Sequence, residues 1–250
     1  MTPSVLPGAA GPNFTILLIA DSPPAEPRTD FETPVARREA VISLARATFA
    51  VGGSIAAPLD VDVAPLLGTL ALDYLQPRAA ELHGEPPPPR VTVMETQRSS
   101  EPARRLLAPL SARGAIRFRD QQGEEVVLEA STEAQIEGLS DVGRHRVTAA
   151  MVHVVNPKFA ILINPGSRVI DEVSVLRESD VPTFNFGLEA LDDETAASLH
   201  QLSVEDPTAR MLEGTTRSPW VGDDVTPGSR HPVPPYAYLM QRLLAERLDI

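Results

Sequence analysis

The stretch "FTILLIA" (14–20) carries no charge and is followed at once by turn formers. A continuous apolar run of this length predicts a strand buried on both faces, and "FAILIN" (159–164) repeats the pattern. Between these runs the apolar spacing changes to three and four. Val35, Val41, Ile42, Ala45 and Phe49 predict a helix over 33–50. "GGSIAAP" (52–58) predicts a short strand leaving a Gly-Gly turn, with Gly53 at positive φ. A helix over 61–75 follows, capped by Asp60. "RVTVMET" (90–96) reads as a strand, and "EPARRLLAPLSARG" (101–114) as a short helix ended by Gly114. "AIRFRD" (115–120) alternates, as a more exposed strand does. "GEEVVLEAS" (123–131) fits either a hairpin partner for that strand or the start of the next helix.

The second half continues the alternation. A helix is expected over 138–155, stopped by Pro157, and another over 169–178 after the 159–164 strand. "PTFNFG" (182–187) is a strand, and "LEALDDETAASLHQL" (188–202) a helix. Residues 205–235 form a Pro-rich loop, and the helix 235–248 closes the chain. Residues 1–12, rich in Pro, Gly and Ala, read as a flexible arm, and "GEPPPP" (84–89) as a stiff linker. Strands alternating with helices define βαβ units. The expected fold is α/β: a Rossmann-like, doubly wound, mostly parallel sheet flanked by helices, in a single domain over 13–250. Ligands of such sheets bind outside the carboxyl ends of the strands.

Composition narrows the function. The net charge is -12, from 22 basic and 34 acidic residues. That field repels phosphate backbones and argues against general nucleic-acid binding, while a local basic pocket can still hold one small phosphorylated ligand. Lys158 is the only lysine, so the positive charge is nearly all arginine, the better planar partner for phosphate. There are no cysteines, which excludes disulfides, thiolate metal sites and a cysteine nucleophile. Aromatics make up 4%, so the core must be aliphatic. "MTPSVLPGAAGPNF" has no basic region before a long apolar run, and no apolar run approaches a membrane span. A cytoplasmic protein that does not enter membranes is expected.

The turn "NPGSRVIDEV" (164–173) carries the main candidate site. N–H groups at a helix start, with the helix dipole behind them, attract an anion. Pro165 and Gly166 make the turn, Ser167 caps the helix or donates to a phosphate, and Arg168 can clamp the same group. Asp171 and Glu172 follow in the first helical turn. The plain alternative is that Ser167 is only a cap and the two acids only dipole partners. Three further positions are candidates: Gly53, Asp60 at the end of the second strand, and Ser22 in "ADSPP", a ligand-facing hydroxyl or a turn residue. Arg144 and Arg146 stand two apart on a helix, so at most one faces a site and both fit a solvated face. Arg37 and Arg38 read as solvated in the same way. His153 reads as a packed core residue. The five histidines have no metal-ligand spacing, and no dinucleotide fingerprint, P-loop, HExxH or GxSxG motif is present. No metal and no cofactor are expected.

In this order the pieces resemble the SLOG superfamily, the Rossmann-like group that includes the LONELY GUY phosphoribohydrolases and the ligand-sensing domains of TRPM channels. The likeness runs from Phe14 to Leu248 and rests on "ILLIADSPP", "AVGGSIAAPLDVDVAPLLGTLAL", "RVTVMET" and "RHRVTAAMVHVVNPKFAILINPGSRVIDEV". It implies a sensor of a nucleotide-derived small molecule, in a bacterial defence or signalling system, that forms homo-oligomers. The phosphoribohydrolases carry PGGxGTxxE, with the catalytic glutamate ninth. Counted from Pro165, the ninth residue here is Val173 and Glu172 is one early, while Val169-Ile170 replace Gly-Thr. Lost glycines reduce backbone N–H access to a phosphate. Two alternatives stand beside the sensor: a non-catalytic interaction scaffold, and an enzyme cleaving a nucleotide N-glycosidic bond with Glu172 as its carboxylate.

Overall fold

The computed structural model describes residues 14–20, 32–59, 62–79, 90–95, 101–120, 122–128, 142–163, 170–186, 241 and 243–245. Six strands alternate with five helices among them: β1 (Thr15–Ala20), α1 (Glu32–Ala50), β2 (Ser54–Pro58), α2 (Val63–Ala79), β3 (Val91–Met94), α3 (Glu101–Ala112), β4 (Ile116–Arg119), α4 (Val142–Val155), β5 (Phe159–Ile163), α5 (Ile170–Glu178) and β6 (Thr183–Phe186). The strands form one sheet in the order β4-β3-β2-β1-β5-β6. Every pairing is parallel.

The sequence pattern follows from position in the sheet. β5 is buried at all five residues and β1 at five of six, because helices cover both faces of the centre. β4 lies at the edge and alternates between buried and half-buried positions. One face of the sheet, with Ile16, Leu18, Ile55, Val93, Phe118 and Ile161, packs under α1, α2 and α3, together with Leu243 and Leu244. The other face, with Leu17, Ile19, Ala56 and Leu162, packs under Met151 of α4 and Leu176 of α5. Each fully buried large apolar side chain contributes about 1.5–3 kcal/mol relative to its exposed state. Phe159 and Phe184 meet edge to face across β5 and β6, with centroids 5.6 Å apart.

Helix ends explain how the chain re-enters the sheet. α1 ends in a Schellman motif: Gly52, at φ 87°, donates to Phe49 O, and Gly53 donates to Thr48 O. α3 repeats this with Gly114 at φ 73°, donating to Ser111 O, while Ala115 donates to Leu110 O. α5 does the same without glycine, with Asp180 at φ 53°.

Several expectations are corrected. The left-handed residue of the Gly-Gly turn is Gly52; Gly53 has an ordinary backbone but no room for a side chain. α2 begins at Val63, so Asp62 and not Asp60 immediately precedes it. Segment 123–128 is not helical. Asp120 Oδ1 accepts from the N–H groups of Gln122 and Glu124, Gly123 turns at φ 89°, and one antiparallel bridge, Arg119 to Glu125, completes a short reversal against β4. His153 is exposed, because the buried side of α4 is marked by Met151 and a residue two further on points away. The arm 1–12, linker 84–89, helix 188–202 and loop 205–235 lie outside the described residues, as does most of the 235–248 helix, of which 241 and 243–245 are helical.

Candidate functional site

The strand order fixes where a cleft forms. From β1 the chain winds outward through β2, β3 and β4, then crosses to the other side of β1 for β5 and β6. The winding therefore reverses between β1 and β5. At such a switch point the connections leave the two strands on opposite faces and open a crevice at the carboxyl edge. The register runs Ile16–Phe159 through Ala20–Ile163, so both strands end level. Asp21-Ser22 continue from one end and Asn164-Pro165-Gly166-Ser167-Arg168 from the other.

The candidate residues divide by location. Ser22, Asp60, Pro165, Gly166, Ser167 and Arg168 lie outside the described residues, each in a segment that begins at the carboxyl end of its strand. Asp171 and Glu172 fall in the first turn of α5, which starts seven residues after Ile163 in the chain; their side chains are outside the described set. Arg144 falls in the first turn of α4, its side chain likewise outside the described set.

Gly53 is not brought to this edge. It lies just before Ser54, at the amino end of β2 and the opposite end of the sheet. A Cβ there would stand 2.4 Å from Phe14 Cζ and 2.8 Å from Thr48 Cγ2. Close packing accounts for this glycine. The buried Arg90 donates from Nη1 to the carbonyls of Gly52 and Gly53, so this end of the sheet is sealed by internal bonds.

Two charged pairs at the carboxyl edge escape a reading of local sequence. Arg37 is buried, and its Nη2 lies 3.3 Å from Asp62 Oδ2, just before α2. Arg38 beside it is exposed. The signal for Arg37 was helical spacing, since it shares the buried stripe of Ala40, Val41, Leu44, Ala45 and Thr48. Arg104 of α3 pairs with Glu95, the residue that follows β3. Farther out, Arg117 Nε lies 3.2 Å from Glu125 Oε2, an ion pair across the β4 reversal.

Among the described residues, no group of three His, Cys, Asp or Glu is placed to hold a metal ion. No described helix is long and apolar enough to cross a membrane. Comparison with protein-family models, curated proteins and solved structures gives no match for this chain.

Proposed function

We propose that this chain is a SLOG-like module that binds a nucleotide-derived small molecule at the switch point between β1 and β5. The observation that carries the reading is the level ending of these strands at Ala20 and Ile163. It starts "DSPP" and "NPGSRVIDE" from neighbouring points of the crevice edge. The second segment leads into α5, whose first-turn N–H groups and dipole favour an anion. Arg168 supplies a planar cation for a phosphate within a chain whose net charge of -12 otherwise repels one. Ser22 and Ser167 supply hydroxyls, and Asp60 and Arg144 belong to the connections around the same crevice. The parts suit recognition of a phosphate joined to a ribose. In this reading the ligand is sensed by a cytoplasmic homo-oligomer.

The test is a thermal-shift titration of the full chain with AMP, ADP-ribose, NAD and cyclic dinucleotides. A ligand that binds the folded state raises its apparent stability, by about 2.7 kcal/mol at 100 times Kd. A saturable upward shift that Arg168→Ala weakens supports the reading. A flat response across the panel from folded protein overturns it.

A further inference from the structure

β4 is the last strand on its side of the sheet, and the reversal 123–128 takes its outer side. Val126 N–H donates to Phe118 O at 3.0 Å, and Glu124 O accepts from Asp120 N–H at 2.9 Å. These groups point inward to β4. By the alternation of an extended chain, the N–H and C=O groups of Glu125 and Val127 point outward. Among the described residues, nothing bonds the backbone of Val127. Val127 is 82% exposed and Val126 38%. Outward backbone groups beside two exposed valines make a template for another strand, and 123–128 contains no proline or lysine to blunt it.

Charge decides which strand fits. Antiparallel pairing of the segment with itself can turn the outward groups toward each other about Glu125, Val126 or Val127. A centre at Glu125 sets that carboxylate against its own copy. A centre at Val127 sets Glu125 against Glu129 of the second copy. A centre at Val126 sets Glu125 against Val127, Glu124 against Leu128 and Val126 against Val126, so no like charges are opposed. In this register Glu125 and Val127 exchange both backbone hydrogen bonds with their opposites. Arg117 Nε, 3.2 Å from Glu125 Oε2, balances within each copy the carboxylate brought to the seam.

We propose that Glu124–Leu128 is a self-association edge: a second copy of this chain pairs with it antiparallel, centred on Val126, and joins two sheets through their β4 reversals. The contact is isologous and closes at a dimer. It rests on the homo-oligomer of the reading above and not on its ligand. Each copy carries a net charge of -12, so association strengthens as salt screens the repulsion.

The test is sedimentation of the full chain over a dilution series, in salt from about 0.05 to 0.5 M, with nucleotide titration of the same samples. The wild type is expected to reach twice the chain mass, with a Kd that falls as salt rises. Val127→Pro removes an outward N–H that the fold does not use, and should weaken the dimer about tenfold or more. Val127→Glu opposes two carboxylates on each side of the two-fold axis and should weaken it about tenfold. Val127→Lys opposes an ammonium to Glu125 and should dimerise at least as well as the wild type. A wild type that stays monomeric at about 1 mM overturns the proposal. So does a dimer indifferent to Val127→Pro and Val127→Glu, or one that Val127→Glu and Val127→Lys weaken equally. A monomer that binds a synthetic peptide of alternating Lys and Val, and loses it in Val127→Pro, overturns it in favour of a basic foreign strand. A dimer without nucleotide binding supports the edge and sinks the ligand reading, and a monomer that binds nucleotide does the reverse. Should Val127→Pro not fold, the Val127→Glu and Val127→Lys pair carries the test.

Discussion

Ala20 and Ile163 are the last register partners of the two central strands, and the winding of the sheet reverses between them. One step of about 3.8 Å beyond each Cα, the chain enters a segment that carries candidate polar groups. A ligand here would touch connections on both faces of the sheet. Side chains from both should therefore matter to binding and neither to folding. Ser22→Ala and Arg168→Ala are each expected to weaken nucleotide binding by about tenfold or more, the worth of a hydrogen bond to a charged group. Melting without ligand should move by no more than about 0.5 kcal/mol if these side chains serve the ligand and not the fold. Parallel titration and melting of both variants checks this.

Gly53 should behave in the opposite way. It sits at the far end of the sheet, and an added methyl group collides with Phe14 and Thr48. Gly53→Ala is expected to cost about 1–3 kcal/mol of overpacking. Ligand affinity, measured well below the melting temperature, should stay at the wild-type value. At Gly52 nothing lies within 4 Å but φ is 87°, so Gly52→Ala costs only the conformational penalty, about 1–2 kcal/mol. A denaturant melt of the two variants with an affinity measurement separates packing from binding.

Arg90 shows why some of this was invisible in the sequence and some was not. The apolar runs at 14–20 and 159–164 announced two central strands, because burial on both faces removes every reason for a polar residue. The alternation in 115–120 announced the edge for the converse reason. Segment 123–131 is ambiguous in sequence because the turn that opens it hangs on Asp120, which lies upstream and organises residues 120–124 with its own carboxylate. Gly53 was misplaced because a glycine needed for close packing looks the same as one needed for a ligand until its neighbours are known. Helical spacing marks Arg37 as part of the buried stripe of α1, but not its contact with Asp62, 25 residues away; Arg90 is unreadable as a buried group, since the carbonyls it bonds lie 37 and 38 residues away. The last turn of α1 contains no basic residue, and Arg90 supplies the missing cation from the start of β3.

A direct expectation follows for Arg90. Arg90→Met keeps the apolar stem and removes both hydrogen bonds from the Gly52 and Gly53 carbonyls. The loss should be about 2–3 kcal/mol, since the donor is charged and the site is buried. Arg90→Lys should recover part of it, because an ammonium keeps the charge but not the planar fork. Urea unfolding midpoints of the three proteins, at unchanged slope, measure the difference.

The end of α5 offers a stabilising change. Asp180 occupies the left-handed position of its Schellman motif at φ 53°, where α1 and α3 use glycine. Its N–H donates to Arg177 O at 3.1 Å, and that of Val181 to Leu176 O at 2.9 Å, so the turn is fully formed despite the side chain. A residue with a Cβ in this conformation costs up to about 1–2 kcal/mol, and Asp180 adds a negative charge two residues past the end of α5 at Glu178, near the negative end of the helix dipole. Asp180→Gly removes both penalties, at the expense of greater freedom in the unfolded chain. The net gain should be about 1 kcal/mol, or roughly 2–4 °C in Tm for a chain of this size. Asp180→Ala separates the causes: it removes the charge but keeps the left-handed strain, and should gain only the dipole part, about 0.3–1 kcal/mol. If Asp180→Ala gains as much as Asp180→Gly in calorimetry, the strain at this turn is negligible and the dipole alone sets the cost.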